Sequence, residues 1–536
     1  MILYRLLHNG RIYTMDSERT AVEAILIDGN RILEVGDFRQ LMELAGRAEM
    51  IDLGGATVVP GLVDSHTHFL SYCSLRLGVD LTGTRTLEEV QGLIGRKADE
   101  LPAGEWIRGA GWNKNLWPGG EFPGREDLDE VTQRHPVAVS SKDGHALWAN
   151  SEALRRAGLD SGVSCPPGGD ILRDERGDLR GIFFETARSL VEDAMPPARL
   201  DELKDVVLQG QREAHALGLT GLVSCEGADA LRVFGELNRE GALSLRIRMT
   251  IPAESLDAAE KLGLTGFLGD EYLRITAVKI FVDGAIGSQT AHLFSAYCGR
   301  DDGYRGVEVC DRRDLRSRVR RAFALSLPVA VHAIGDAANH KVLDVLEELG
   351  APDLGLRNRI EHAQLLLPGD IDRFARLGVI ASVQPAHAVA DRDLVDQYWG
   401  TRGRWAYAFR SLLDAGAVLA FGSDLPVDAL DPLVGIRSAV TRRADDSRES
   451  WYPEERLTPA EAVCAYTWGS AYAVNEEDRR GRIAPGMLAD LTVFDSDIIA
   501  GAPTDECSVL ATVVGGEVVY GEGNLVEDAD PGDHAG

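Results

Sequence analysis

The 536-residue chain lacks the excess of basic residues that a nucleic-acid-binding surface needs. It contains 56 Lys and Arg residues against 85 Asp and Glu residues, which gives a formal net charge of -29. Because phosphate groups are bound mainly through Lys and Arg, this balance argues against nucleic acid as a partner. It also disfavours anionic membranes. No apolar run approaches the roughly 18 residues of a membrane-spanning helix.

Cysteine is scarce and scattered. The seven cysteines form no Cys-x-x-Cys motif. An odd number without that motif argues against a disulfide framework or a thiolate zinc site and favours a reducing compartment. The first residues also lack the basic segment and apolar core of a signal peptide. We therefore expect a cytoplasmic protein with neither nucleic acid nor membrane as a partner.

Two histidines, His66 and His68, stand one residue apart after the apolar run at residues 56–60. Side chains along a strand have a period of two, so both imidazoles should point the same way. Neutral imidazole is a common metal ligand, and the pair therefore predicts half of a metal site. By itself the pattern fits two polar residues on a solvent-facing strand equally well.

Further candidate ligands follow other apolar, strand-like runs. They are Lys279, His332, His362 and Asp424. Each one alone is more typical of an ordinary core or capping residue. A set of this kind, recurring at the ends of several predicted strands, is hard to obtain by chance. The recurrence therefore favours one shared functional site over six unrelated residues.

Between its ends the chain alternates strand-like runs with amphipathic helical stretches, which is typical of a parallel α/β fold. Eight barrel strands are predicted near residues 57–66, 220–226, 245–252, 274–283, 329–333, 359–363, 379–385 and 418–424. The candidate ligands then fall at carboxyl-terminal strand ends, where barrel enzymes carry their active sites.

The two chain ends are rich in short strands and turns. Residues 1–57 and 482–526 are too small to bury a core separately, and we predict that they form one composite β-sandwich. The barrel then occupies residues 58–481, with an insertion subdomain at about residues 70–200, because a structureless loop of that length is implausible. Residues 527–536 are predicted to be a flexible tail.

The sequence resembles the amidohydrolase superfamily, and most closely its family 3 branch, also called YtcJ-like. The resemblance runs from about residue 3 to about residue 520. It rests on the segments LLHNGRIYTMD, PGLVDSHTHF, VKIFVDGAIGSQTA, VHAIGD, IEHAQ, FGSDLPV and GRIAPGMLADLTVFD. It implies a (β/α)8 TIM-like barrel with a β-sandwich domain, and from the resemblance alone we also expect a homodimer.

The resemblance also implies the arrangement of the metal site. His66, His68 and Asp424 would hold one divalent ion, and His332 and His362 would hold a second. Lys279, converted by carbon dioxide to a carbamate, would bridge them; the alternative for this lysine is an ion pair with Asp283 or Glu361. Two Zn²⁺ ions are expected, although imidazole and carboxylate ligands also suit manganese, iron or nickel.

The implied reaction is hydrolysis of a non-peptide C–N bond, in an amide or cyclic amide, by a hydroxide that bridges the metals. Members of the family act on N-substituted formamides and other amides. Asp424 would take a proton and pass it to the leaving nitrogen, unless it is only a helix cap. One alternative is a mononuclear aminohydrolase that deaminates a heterocycle. Another is a catalytically weak binding or regulatory protein on the same scaffold.

Four residues are candidates for substrate contact. His145 could touch the substrate or polarise its carbonyl group, although a structural loop histidine fits the same motif. Trp112 could line an apolar pocket, or it could join Trp117 and Trp148 in the core of the insertion. Glu185 and Gln384 match family patterns, and both could face the substrate.

Overall fold

The computed structural model of the chain describes residues 4–16, 20–350, 355–445 and 447–521. Within these ranges the strands form three sheets, with eight, six and nine strands. The first sheet comes from both chain ends, the second from the insertion and the third from the barrel. The predicted flexible tail at residues 527–536 lies outside the described residues.

The N-terminal segment contributes five strands and one helix before the barrel begins. They are β1 (Tyr4–Tyr13), β2 (Ala21–Asp28), β3 (Arg31–Gly36), α1 (Phe38–Ala45), β4 (Ala48–Asp52) and β5 (Thr57–Pro60). Strands β2 and β3 form a tight hairpin, in which Asp28 pairs with Arg31 across a two-residue loop. Gly29 in that loop has a φ of 56°, which glycine adopts without strain.

The insertion between the first two barrel strands has a sheet and a core of its own. After the first barrel strand, β6 (Leu62–Thr67), the elements are α2 (Phe69–Ser74), β7 (Val79–Asp80), α3 (Leu87–Glu100), β8 (Ile107–Trp112), α4 (Arg125–Asp129), β9 (Val137–Ser141), β10 (Ala146–Ala149), α5 (Ser151–Arg156), β11 (Gly169–Arg173), β12 (Leu179–Glu185) and α6 (Ser189–Glu192). The sheet order is β11-β12-β10-β9-β8-β7. Trp112, Trp117 and Trp148 pack together in the core beside this sheet.

The rest of the barrel alternates strands with helices. The strands are β13 (Leu219–Ser224), β14 (Arg246–Pro252), β15 (Leu268–Gly269), β16 (Leu273–Phe281), β17 (Val329–Ala333), β18 (Arg359–His362), β19 (Ile380–Val383) and β20 (Leu419–Phe421). The helices are α7 (Leu200–Ala216), α8 (Ala228–Arg239), α9 (Leu256–Leu262), α10 (Arg312–Ala324), α11 (Asp336–Glu348), α12 (Ile371–Leu377), α13 (Pro385–Ala390), α14 (Arg392–Tyr398), α15 (Phe409–Asp414), α16 (Pro432–Thr441), α17 (Pro459–Cys464) and α18 (Ser470–Ala473). Strand β15 pairs only with β16 and lies outside the barrel path.

Eight parallel strands form the barrel in the order β6-β13-β14-β16-β17-β18-β19-β20. A parallel bridge between Thr67 and Leu425 connects the first strand to the residues after the last. The buried carboxylate of Asp64 strengthens this closure, because it accepts hydrogen bonds from the backbone N–H groups of His66 and Ser423. The predicted α/β barrel is confirmed, and each of its eight strands overlaps a predicted one.

The chain returns to the first sheet through β21 (Leu491–Phe494), β22 (Val509–Val514) and β23 (Glu517–Gly521). The order is β23-β22-β21-β5-β1-β2-β3, with β4 beside β1. A register shift in β1 between His8 and Ile12 lets its first half pair with β4 and its second half with β5. The predicted composite β-sandwich is therefore one connected sheet that branches at β1, and strands from both chain ends share one apolar core.

The prediction of a single first barrel strand over residues 57–66 was wrong. Strand β5 pairs with β1 and β21 in the terminal sheet, and only β6 belongs to the barrel. The chain changes sheets at Pro60 and Gly61, where a Cβ atom on Gly61 would lie 2.4 Å from Thr220. The apolar sequence continues across this change because both strands are buried, so hydrophobicity does not mark the boundary.

Neither disulfides nor helices able to span a membrane occur among the described residues. All seven cysteines lie in the described ranges, and none forms a disulfide. Among the described helices, none combines the length and apolarity needed to cross a lipid bilayer.

Candidate metal centre and substrate cavities

The predicted metal ligands lie at one end of the barrel. His66 is the penultimate residue of β6, and His362 is the last residue of β18. Lys279 and His332 lie near the ends of β16 and β17. Since the eight strands are parallel, these side chains meet at the carboxyl-terminal mouth of the barrel.

One carboxylate oxygen of Asp424 lies close to both histidines of the His-x-His pair. Oδ1 of Asp424 lies 3.4 Å from Nε2 of His66 and 3.3 Å from Nε2 of His68. The two imidazoles therefore approach the same point, although β6 ends at Thr67 and His68 lies beyond the strand, directly before α2. The ligand atoms of His66, His362 and Asp424 all lie within 4.8 Å of one another.

The second nitrogen of His66 is held from behind by a carboxylate. Nδ1 of His66 lies 2.7 Å from Oε2 of Glu361, and both side chains are fully buried. Glu361 is fixed in turn by Nε of Arg359 at 2.5 Å. With the proton of His66 on Nδ1, the lone pair of Nε2 faces the centre, which is the usual support for a metal-binding histidine.

His362 and His332 are oriented by neutral oxygen acceptors. Nδ1 of His362 lies 2.9 Å from Oε1 of Gln384, which leaves Nε2 of the ring for a ligand. Nε2 of His332 lies 3.2 Å from the backbone oxygen of Gly284, which leaves Nδ1 of that ring. The two imidazole rings are 4.5 Å apart between their centres. Each ring thus has one nitrogen engaged and one available as a metal ligand.

Lys279 lies among these ligands and is only 3% exposed. Its Nζ is 3.4 Å from Nε2 of His66 and 4.9 Å from the centre of the Phe281 ring. No carboxylate oxygen of the described residues lies within the 4.0 Å ion-pair distance of this nitrogen. The alternative ion pair is absent, because Asp283 binds backbone N–H groups and Glu361 binds His66.

Burial and neighbouring charges together determine the charge of the central histidines. It lowers the pKa of His332 and of His362 well below the usual range, so both rings are neutral at pH 7. Burial also opposes the charged form of His66, but Cys225, Glu361 and other neighbours raise the pKa of His66 to about 10. The same negative surroundings would favour a bound divalent cation.

Three residues of the centre have left-handed backbone conformations. The φ angles are 75° at His362, 43° at Ala363 and 57° at Asp424. Such conformations are uncommon for residues other than glycine and are concentrated at functional sites. Asp424 lies three residues beyond the end of β20 and not on the strand predicted over 418–424, and its positive φ turns the chain there.

A further histidine, His387, contacts the other oxygen of Asp424. Nε2 of His387 lies 3.4 Å from Oδ2 of Asp424, and its Nδ1 lies 2.6 Å from Oδ2 of Asp428. Lys142 of the insertion binds the second oxygen of Asp428 at 3.2 Å. Burial lowers the pKa of His387, but the two carboxylates raise it to about 10, so this ring can donate to both of them.

His387, Asp428 and Asp64 were not predicted as site residues. His387 lies in α13 after the seventh strand, Asp428 follows the eighth, and Asp64 precedes the His-x-His pair on β6. A search for polar residues just beyond every predicted strand would have found the first two. Asp64 lies inside a predicted strand, and only the structure shows that it is fully buried. Burial raises the pKa of Asp64 to about 7.

The insertion brings His145 to the centre. The His145 ring lies 5.1 Å from that of His332, and its Nδ1 is 2.8 Å from Oε2 of Glu185. Oε1 of Glu185 accepts a hydrogen bond from Thr290, a barrel residue, at 2.7 Å. Burial lowers the pKa of His145, but Glu185 raises it to about 9. Glu185 has a φ of 51°, so this contact between insertion and barrel is made at a strained residue.

Two cavities open above the centre. One has a volume of about 350 Å³ and the other about 700 Å³. Both are lined by His145, His332, His362 and Asp424. Volumes of this size are typical of sites for small organic ligands.

The four substrate candidates differ in their placement. His145 lines both cavities, Glu185 lines the larger one and Trp112 lines the smaller one. Trp112 is nevertheless 2% exposed and donates to the backbone oxygen of Val139, so it also belongs to the insertion core. Gln384 lines neither cavity and lies behind His362.

Cys225 lies directly beside one of the candidate metal ligands. Its Sγ atom is 3.8 Å from Nδ1 of His66, and the two groups together with Glu361 form a second cluster of potential ligand atoms. Because Nδ1 of His66 already binds Glu361, this second cluster supports His66 from behind. The arrangement as a whole brings imidazoles, the carboxylate of Asp424 and a buried lysine together at the barrel mouth.

Comparisons with known proteins agree with this arrangement. A family model described as the amidohydrolase family matches residues 49–520. The Arabidopsis thaliana protein LONG AFTER FAR-RED 3 is 34% identical over 96% of this chain and 91% of its own length. The Bacillus subtilis protein YtcJ is 33% identical over 96% and 98%. The N-substituted formamide deformylase of Arthrobacter pascens is 28% identical over 96% and 97%.

A solved structure has the same overall fold. The crystal structure of a metal-dependent hydrolase from Pyrococcus horikoshii OT3 is 30% identical in sequence to this chain. It superimposes with a TM-score of 0.76 over 93% of this chain and 99% of that one. The similarity therefore includes the barrel, the insertion and the terminal sheet together.

Proposed function

Because this chain belongs to the amidohydrolase family, we propose that it is a metal-dependent hydrolase of a C–N bond in a small organic amide or cyclic amide. The observation that carries the proposal is the convergence of three buried, oriented imidazoles and the carboxylate of Asp424 at the barrel mouth. Such a set is costly to bury without a cation to bind.

We propose two divalent ions at the mouth, where the ligand atoms of His66, His362 and Asp424 lie within 4.8 Å of one another. His66, His68 and Asp424 would hold one ion, and His332 and His362 the other. The donor atoms suit Zn²⁺, and also manganese, iron or nickel. When bound, such ions would lower the pKa of water and polarise a carbonyl oxygen.

Lys279 would bridge the two ions after carboxylation. Reaction of its neutral amine with carbon dioxide forms an N–C bond, releases one proton and leaves an anionic carbamate. Its burial without a carboxylate partner supports this role, because a lone buried ammonium group is unfavourable.

The chain itself would supply proton transfer and substrate contact. Asp424 would accept a proton at one carboxylate oxygen and release it to the leaving nitrogen. His387, which is hydrogen-bonded to Oδ2 of Asp424, would hold that carboxylate in position. His145, with Nδ1 fixed by Glu185, would present Nε2 to the substrate carbonyl.

Residues of both the insertion and the barrel would surround the substrate. Trp112 would provide an apolar face, and Glu185 would orient His145. Gln384 would affect the substrate only indirectly, because it orients the ring of His362. The similar formamide deformylase acts on N-substituted formamides, which makes simple amides a suitable first set of substrates.

The decisive experiment is elemental analysis of protein purified without chelators, followed by an assay of amide hydrolysis. About two metal equivalents together with turnover would support the proposal. About one equivalent, with release of ammonia from a heterocycle, would favour the mononuclear aminohydrolase. No metal and no turnover after addition of Zn²⁺ and bicarbonate would favour a binding or regulatory protein.

A further inference from the structure

The two cavities above the metal centre share the residues around the centre and extend over different parts of the barrel mouth. The smaller one is bounded by the loops after β16, β19 and β20, and includes Ile286 and Leu394. The larger one is bounded by residues that follow β6, β14 and β16, and includes Leu75, Glu254 and Val309. The insertion segment from Ser141 to His145 lines both. A molecule whose reacting bond lies at the centre could therefore extend into both cavities.

The two cavities also differ in chemistry. Most of the surface of the smaller cavity is apolar, with Trp112, Leu116 and Phe122 among its lining residues. Polar and apolar surface are nearly balanced in the larger cavity, where Arg188 and Arg318 take part. Each cavity thus suits a different type of substituent.

A formamide has only a hydrogen atom on the acyl side of its C–N bond. It would fill one cavity and leave the other to water. Volumes of about 350 and 700 Å³ are both large enough for a substituent of several heavy atoms. Burial of apolar surface on both sides of the bond would add binding energy that a one-sided substrate cannot provide.

From these observations we infer that the substrate is an amide with a substituent on each side of the C–N bond. An apolar substituent occupies the smaller cavity, and a polar substituent occupies the larger one. The inference rests on the proposed amide hydrolysis. It limits the substrates to two-sided amides and so excludes formamides.

Four amides test the inference on the metal-loaded protein. Benzamide and N-benzylformamide carry one apolar substituent. N-benzoylethanolamine and N-benzyl-3-hydroxypropanamide add a polar substituent on the amine side or the acyl side. One of the two-sided amides should have a kcat/KM at least tenfold above both one-sided amides.

The outcomes separate the inference from the proposed function. If a one-sided amide is hydrolysed as well as or better than both two-sided amides, the two-sided substrate class is wrong while amide hydrolysis stands. If metal-loaded protein hydrolyses none of the four, both proposals fall.

Cavity-filling variants then assign each substituent to its cavity. Ala390 lines only the smaller cavity and Ser189 only the larger one, and both side chains are exposed. Ala390→Trp should raise KM about tenfold for every amide with the apolar substituent. Ser189→Trp should raise KM about tenfold only for the two-sided amides. The exposed Ala500→Trp, outside both cavities, is the control.

Equal effects of Ala390→Trp and Ser189→Trp on the one-sided amides would indicate a single substrate pocket and overturn the inference. Circular dichroism of each variant would establish that it is folded. If one variant does not fold, the other still decides whether its cavity receives the predicted substituent.

Discussion

At the scale of single residues, each central imidazole is committed to one orientation by an acceptor behind it. His66 is fixed by Glu361, His362 by Gln384 and His332 by the backbone oxygen of Gly284. The acceptors differ in charge, so the three ligands differ in basicity although all are imidazoles. The sequence predicts the ligands, but the acceptors depend on contacts between strands.

Replacement of Lys279 by alanine should remove about one equivalent of metal, because the carbamate that would bridge two ions can no longer form. Metal content is measured by elemental analysis after purification without chelators. Lys97→Ala, on the insertion helix α3, is the matched control and should retain the full metal content. Full metal retention in the Lys279 variant would contradict the bridging role.

Asp424→Asn should fold normally and lose turnover by roughly 100- to 10,000-fold, because the amide cannot accept and release a proton. The measurement is kcat on an amide that the wild-type protein hydrolyses. Asp372→Asn, at an exposed position of α12, should leave kcat unchanged. A wild-type kcat in Asp424→Asn would remove this carboxylate from proton transfer.

At the scale of elements, the loop after β16 and the last residue of β12 are closely packed. A Cβ atom on Gly284 would lie 2.0 Å from Oγ1 of Thr290 and 2.1 Å from Oε1 of Glu185. Glycine is therefore required for space at this position. Through Glu185, the loop after the fourth barrel strand sets the position of His145.

Gly284→Ala should displace Glu185 and with it His145, which would lower kcat/KM by roughly tenfold to a hundredfold. Steady-state kinetics and thermal unfolding are measured together. Gly369→Ala is the matched control, because no atom lies within 4 Å of its added Cβ. If both variants have wild-type kinetics, His145 does not depend on this contact.

The positions of the strands can be predicted well from the sequence, whereas the sheet to which each strand belongs cannot. Parallel barrel strands are short buried runs bounded by polar residues, so all eight are visible as hydrophobic segments. Hydrophobicity does not show that β5 and β6 belong to different sheets, since both are buried. His387 and Asp428 follow predicted strands closely in sequence, but the contacts that His387 makes with Asp424 and Asp428 depend on how the helix and loop after those strands pack.

At the scale of the whole molecule, the barrel is joined to the terminal sheet by a buried ion pair. Nε and Nη2 of Arg246, on β14, bind the two carboxylate oxygens of Asp490 at 2.7 and 2.9 Å. The side chains are 1% and 3% exposed. Asp490 also accepts the backbone N–H of Gly515, so one carboxylate connects three parts of the chain.

Asp490→Ala should reduce the free energy of unfolding by about 3–5 kcal/mol, because the buried guanidinium group of Arg246 loses its two short hydrogen bonds to a carboxylate and keeps only the more distant contacts to Glu271. Urea-induced unfolding measures the change. Asp393→Ala breaks the exposed pair with Arg448 and should cost less than about 1 kcal/mol. Similar losses in the two variants would show that the buried pair does not stabilise the junction.

Strand β5 leaves the ribosome long before its partner β21 exists. Nearby, the backbone N–H of Leu62 bonds to Thr492, 430 residues later in the chain. At about 5–20 residues per second, translation of that interval takes roughly 20–90 s. Throughout this time one side of β5 has no strand to pair with, and an unpaired strand can associate with other chains. Protection of the nascent N-terminal strands by a chaperone is therefore an expected requirement of this topology.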